Sequence, residues 1–325
     1  MKQIFEQMSR RQALSNPMQW WTSLKSDERI SLAKNLKIDR QLRQERGIKL
    51  NYSFGLDEIF ETYWDSPQVS ENLNSEQILA ILNLKYLSVA KTNLADISFI
   101  QPLADVQFLY LNETHIDDIG VLKYTYKLKM LDCSTTQIRN FSPLTYLKKL
   151  VELDLSLTDF ENATYLKFCV ALKKLRLYKT SLQYTYGFEE LVGLQELHLD
   201  WSPVKNLWGL KGLEKLKIIS CDHTQIEDLY PISTLTSLKA IYCSHTKLRS
   251  LESAYGHPKI QFIQCDNTFV TEREVSNCRY HVKYVSIDEP NFDLLNNQEA
   301  KDYVEKINQI EIEKIRRDIK NTDID

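Results

Sequence analysis

The sequence predicts an α/β repeat solenoid: a horseshoe with one parallel concave sheet, a helical cap at its N-terminus, and a cap segment plus a helix at its C-terminus. Three observations predict it. A 22-residue frame starting at Leu84 recurs at Val106, Leu128, Leu150, Leu172, Leu194, Leu216, Leu238 and Ile260, nine copies without insertion or deletion. The ninth frame position is a hydroxyl every time: Thr92, Thr114, Thr136, Thr158, Thr180, Ser202, Thr224, Thr246 and Thr268. Within one copy the apolar spacing changes from a short strand (Leu128, Leu131, Cys133) to a loose return segment (Ile138, Phe141, Leu144, Leu147). A fixed period of this length means stacked coils, each burying its apolar side against its neighbours.

Residues 1–83 precede the frame and read as the helical cap. Ile4, Phe5 and Met8 give a helical spacing that ends before Pro17. Trp20, Trp21 and Leu24 precede Ser26, which suits a helix start with Asp27 and Glu28 in the first turn. Ile30, Leu32, Ala33 and Leu36 continue that helix. A second pattern follows in Leu56, Ile59, Phe60, Tyr63 and Trp64, and a third runs from Ser75 into the first repeat. The first coil has an open apolar end, so a cap is required, and the Trp pair is expected in its core.

In the array, residues 84–281, frame positions one, four and six point inward and positions three and five face the other side of the strand. Positions 11, 14, 17 and 20 close each coil (Ile226, Leu229, Ile232 and Leu235 in the seventh), and Pro102, Pro143 and Pro231 limit long helices there and favour short 3₁₀ or extended turns. The ninth-position hydroxyls are expected to bridge backbone groups of adjacent turns. The frame weakens at Ala163, Cys169 and Thr185, and again at Ala254 and His257.

Segments such as LADISFIQPL, IRNFSPLTYL and IEDLYPISTL carry the return-loop signature of a known class. The array resembles the leucine-rich-repeat family, in its bacterial 22-residue, internalin-like form, with Thr or Ser where many members have Asn at the corner. The resemblance implies the horseshoe fold and recognition of another protein by the concave sheet. It also implies an alternative, an exported or surface-displayed adhesin or effector.

After Thr268 the frame decays into a helical turn and a last strand. Residues 282–325 are expected to form a C-terminal cap segment and, over 297–320, a charged helix with apolar stripes at Tyr303, Ile307, Ile310 and at Ile312, Ile315, Ile319. This helix reads either as packed on the solenoid end or as a self-association or partner-binding element.

Hydrophobic residues make up 43% of the 325, ample for a core, and eight Gly and eight Pro argue against long linkers. A net charge of −3 points to neither nucleic acid nor a membrane surface. The N-terminal stretch has no uninterrupted apolar run of a secretory signal, and no stretch approaches a membrane span. Cys133, Cys221, Cys243 and Cys265 share position six, where other copies carry Leu or Val; with Cys169 and Cys278 they read as free thiols in a reducing cytoplasm.

No phosphate-cradling Gly loop, H-E-x-x-H, C-x-x-C or G-x-S-x-G is present, so the chain reads as non-enzymatic, with no cofactor. The candidate surface lies on the strand face and adjoining turn of the last four repeats. Position five gives His198, Ser220, Tyr242 and Gln264; position seven gives Asp200, Asp222, Ser244 and Asp266; position eight gives Trp201, His223, His245 and Asn267. Tyr110 joins Tyr86, Phe108 and Met130 in an apolar N-terminal half, and Tyr178 sits with Lys174, Arg176 and Lys179 at a basic centre. His/Asp columns on neighbouring strands could hold a metal or do acid/base work. The reading preferred is recognition of a partner protein through His198, Asp200, Trp201, Asp222, His223, Tyr242, His245, Tyr178 and Tyr110.

Overall fold

The computed structural model describes residues 9–45, 73–279, 282 and 284–286. The expected patterns at Ile4–Met8 and Leu56–Trp64, and the charged helix over 297–320, lie outside the described residues.

The cap is built from short, well-capped helices. Ser9 and Gln12 exchange side-chain bonds with each other's backbone N–H, which starts α1 (Arg10–Ser15). Pro17 then opens α2 (Pro17–Ser23), with Asn16 as its cap. Trp20 and Trp21 therefore sit inside a second helix begun by the proline. Both are buried, edge to face with centroids 6.1 Å apart, in the cap core. Next come α3 (Ser26–Glu45) and α4 (Ser75–Leu82), the latter started by an Asn74–Gln77 box. Ile78, Ile81 and Leu82 are buried and continue into Leu84 of the first coil. Arg10 fastens α1 to that coil. Its guanidinium donates to the Leu82 and Pro102 carbonyls and pairs with Asp105, which also takes Lys127 Nζ at 2.5 Å.

Ten three-residue strands among the described residues form one parallel sheet in chain order, β1 (Tyr86–Ser88) to β10 (Tyr284–Ser286). Every pairing is in frame, for example Leu109 beside Leu131 and Leu197 beside Ile219. Each strand occupies positions three to five. The last strand expected after Thr268 is present and keeps the frame of the nine copies. Val282 and Val285 are buried at positions one and four of a tenth coil, and β10 pairs in register with β9 (Phe262–Gln264). The sheet thus extends beyond residue 281, into the segment expected to be a cap. A short helix, α5 (Glu272–Arg279), replaces the return segment just before it.

Positions one, four, six, 11, 14, 17 and 20 build one continuous core from the cap to Val285. The weak positions stay in it: Ala163, Cys169, Thr185, Ala254 and His257 are all buried. Phe160 packs edge-on against Phe141 at 5.2 Å in the same core. His257 stitches coils, with one ring nitrogen against the Leu235 carbonyl and the other accepting from Lys259 and Ile260 N–H.

The hydroxyl column behaves differently from expectation. Thr92, Thr114, Thr136, Thr158, Thr180, Thr224, Thr246 and Thr268 each donate to the position-six carbonyl of their own coil, at 2.6–3.1 Å. They lock the corner within a turn. Ser202 alone reaches across, donating to Leu177 O at 2.6 Å and lying 3.0 Å from the Thr180 hydroxyl. Immediately before this column, position eight is left-handed in all nine coils, with φ between 50° and 62° and no glycine among them.

Candidate functional site

The left-handed column creates the candidate site. In coils one to eight the position-eight N–H donates to the position-seven carbonyl of the next coil, as from Trp201 to Asp222 and from His223 to Ser244. The backbone is therefore pinned, and successive side chains leave it in parallel, one strand spacing apart (about 4.8 Å). Flat side chains at that spacing stack. Trp201 lies on His223 with ring centroids 3.8 Å apart and planes 17° off parallel. His223 lies on His245 at 4.1 Å and 8°, and His245 Nε2 is 3.3 Å from Asn267 Nδ2. The result is a four-residue ladder across the sixth to ninth coils, half-exposed at Trp201 and His223 and open at His245. Trp201 does not fold over the rim onto Trp208, which leans instead on Tyr230.

Position seven, read from the frame as part of the candidate surface, carries structural duty. Asp200 is buried; its carboxylate accepts the Ser220 hydroxyl at 2.6 Å and the Asp222 N–H at 2.9 Å. Asp222 accepts the Ser244 N–H at 2.6 Å, and Ser244 Oγ accepts the Asp266 N–H at 3.1 Å. In the sixth to eighth coils the position-seven side chain thus caps the same N–H in the next coil. In the third and fourth coils Asp132 and Asp154, at position five, cap the N–H of Ser134 and Ser156 instead. Burial raises Asp200, and burial together with the neighbouring Asp200 pushes Asp222 up to about 7. Burial, then the charge of His245, holds His223 down to about 4.

The expected site residues therefore separate. Trp201, His223 and His245 form the stack, with His198 and Tyr242 half-buried at position five beside it and Tyr242 against Phe262 at 5.1 Å. Asp200 and Tyr178 are buried beneath the surface, and Asp222 is half-buried at its margin. Tyr110 stands four strands from Trp201 and six from Tyr242, roughly 19 Å and 29 Å at the usual strand spacing. There it packs on Tyr86 and donates to Met130 Sδ at 3.0 Å. Among the described residues no three His, Cys, Asp or Glu side chains converge as a metal site. The histidines meet face to face, which does not aim their nitrogens at a common point.

A second set of exposed rings escaped the sequence reading. Tyr124, Tyr146 and Phe168 occupy position 19 in three successive coils, with Tyr126 and Val170 at position 21. The signal was present in the frame, as apolar residues on either side of the inward position 20.

No protein-family model matches the chain, and no curated protein matches its sequence. Solved structures do resemble it. Internalin C2 of Listeria monocytogenes aligns with TM-score 0.54 and 24% identity over 58% of this chain and 84% of its own. Internalin F of the same organism gives 0.57 and 20% over 72% of each chain. A leucine-rich-repeat protein of Leptospira interrogans gives 0.55 and 19% over 65% of this chain and 62% of its own. The chain carries the leucine-rich-repeat solenoid fold that these proteins share.

Proposed function

We propose that the chain is a non-enzymatic scaffold that binds another protein along the strand face, centred on the Trp201–His223–His245 stack. The observation that carries this reading is the stack itself. Three rings stand together on pinned backbone, contribute nothing to the coil core and offer an amphipathic plate at the rim of the sheet. Rings already held in place lose little freedom on binding, and aromatic anchors of this kind dominate interface energetics. His198 and Tyr242 extend the plate; the buried Asp200 and Tyr178 belong to its foundation. Six cysteines, all free and all buried, support a reducing compartment, the cytoplasm; cell fractionation tests that part separately.

The test is comparative capture from an extract of the source organism, read by quantitative mass spectrometry. The parent chain is set against a Trp201→Ala, His245→Ala double variant. Recovery of the specific partner is expected to fall at least about tenfold with the double variant, a loss of about 1.4 kcal/mol or more, while its thermal melt stays close to the parent's. An unchanged set of captured proteins would remove the stack from the interface.

A further inference from the structure

We infer that the rim formed by the ends of the second, third and fourth return segments is a contact site for an anionic phospholipid surface. Tyr124, Tyr146 and Phe168 stand there 40%, 58% and 45% exposed, at frame position 19 of three adjacent coils. Tyr126 and Val170, at position 21, are 55% and 49% exposed beside them. Position 20 between the two rows is buried in each of these coils (Thr125, Leu147, Cys169), so positions 19 and 21 must point out. An outward position needs no ring. The other coils up to the eighth carry Pro102, Glu190, Gly212, Thr234 and Gly256 at position 19. At position 19 the aromatic residues are confined to one contiguous stretch of rim.

That stretch is also basic. Lys123, Lys148, Lys149 and Lys167 are exposed among the rings, and no acidic residue occurs in 119–131, 133–151 or 162–174. The ammonium of Lys123 lies 5.0 Å from the Tyr124 ring centre; those of Lys167 and Lys148 lie 4.8 Å and 5.9 Å from that of Phe168. Lys127 is already paired with Asp105.

Protruding rings with ammonium groups at their level match a bilayer surface on two counts. Tyr and Phe rings settle at the headgroup–acyl boundary, and lysines at that depth meet lipid phosphates. The residues project from a rim, so they fit a soft, flat surface better than the shaped face of a protein. A soluble polyanion would use the lysines and have no need of the rings. The site precedes the strands, whereas the Trp201 stack follows them, so both surfaces can be occupied at once, and this inference does not rest on the proposed function.

Co-sedimentation of the full chain with vesicles tests it. The vesicles are phosphatidylcholine alone, or phosphatidylcholine mixed with phosphatidylglycerol. Binding is expected only with phosphatidylglycerol present and should weaken with salt. Lys148→Glu with Lys149→Glu should abolish it, each lysine contributing about fivefold before the sign reversal. Tyr146→Ser with Phe168→Ser should lower it at least about tenfold. Lys217→Glu with Lys239→Glu, elsewhere on the array, should leave it unchanged, and all three variants should melt as the parent does. No sedimentation with phosphatidylglycerol vesicles would overturn the inference. So would a ring variant that binds as the parent does while the Lys148/Lys149 variant fails, since that identifies a charge-only polyanion site. Loss of a captured acidic protein from the rim variants, without vesicle binding by the parent, would overturn it in favour of a protein partner.

Discussion

The Asn35 side chain stands in for a missing strand beside Ser88. Its Oδ1 accepts the Ser88 N–H at 2.7 Å, and its Nδ2 donates to the Ser88 carbonyl at 2.8 Å. Ser88 lies on β1, the first strand of a sheet whose edge would otherwise present free backbone to any other chain. One amide on α3 therefore supplies both halves of a ladder rung, and Asn35 itself is buried.

Asn35→Leu should fail on two measurements. It leaves the Ser88 N–H and C=O unpaired in a closed site, which costs about 1–3 kcal/mol for each group, and it opens the edge of β1. Thermal melts should show a drop of several degrees, and size-exclusion chromatography should show concentration-dependent association. A monomer as stable as the parent would mean that the cap does not protect this edge.

The left-handed column makes an opposite prediction, a gain. Thr135 is exposed, β-branched and held at φ 53°. A non-glycine residue in this region costs about 1–2 kcal/mol, and glycine avoids most of that. Thr135→Gly should raise the urea midpoint. Thr136→Ala, one residue on, should lower it, with a loss of about 1 kcal/mol in unfolding free energy, because it deletes the 2.7 Å bond to the Cys133 carbonyl. If the two substitutions shifted the midpoint in the same direction, the corner geometry would be misassigned.

Much of the fold was legible because periodicity reports which side chains are buried, and burial follows the frame without exception from Leu84 to Ile263. Less legible were features set by backbone rather than by hydrophobicity. Position 13 is Asp, Asn or Ser in the first four coils and in coils six to eight, where its side chain takes the N–H two residues on, as Asp118 does from Gly120 at 2.7 Å. The fifth coil has Tyr184 there and lacks the 3₁₀ turn found in the others. An Asx column was readable, yet alternation alone gives no reason to look for it. Position seven was misjudged for a related reason. Whether Asp200 faces a partner or caps Asp222 depends on an N–H orphaned by the corner, and side-chain spacing carries no trace of that. The stack of Trp201 on His223 likewise needed the left-handed φ at position eight before three separate letters became one surface.

Thr185 and Gly209 show how an apparent irregularity is compensated. Thr185 is a buried polar residue at position 14, and its Oγ1 accepts the Gly209 N–H at 2.9 Å. A Cβ on Gly209 would fall 1.9 Å from the Thr185 carbonyl oxygen, so the two coils meet backbone to backbone. Gly209→Ala is expected to force them apart at a cost of about 2 kcal/mol or more, and Thr185→Val to strand the Gly209 N–H at about 1–3 kcal/mol. Denaturant titration of both variants checks this. A neutral Gly209→Ala would show that the sixth coil sits further from the fifth.

Between about pH 4 and pH 7 two sets of buried groups pull stability in opposite directions. Burial and the facing Asp154 push Asp132 up to about 7, despite bonds from Ser134 and the charge of Arg176. Asp222, facing Asp200, Asp266 and the Ser244 N–H, is likewise pushed up to about 7. Unfolded carboxyls titrate near 3.8, so the stability these groups contribute is complete below that pH and drains away as pH rises through about 7. His223, facing Trp201 and His245, is held down to about 4, and His257 is lowered by burial. Their contribution is complete above 6.5 and is lost as pH falls toward the folded value. Between about pH 4 and 6.5 the two sets therefore oppose each other, and above about pH 7 neither changes stability further. Asp222→Asn keeps an acceptor for Ser244 and removes one carboxyl titration, so its melting temperature should rise with pH relative to the parent's across this window. His223→Phe keeps a ring in the stack and removes the opposing titration, so its melting temperature should fall with rising pH more steeply than the parent's. Melts followed by circular dichroism between about pH 4 and pH 8 read both slopes. An Asp222→Asn profile with the parent's slope would show that the buried acid column does not govern it.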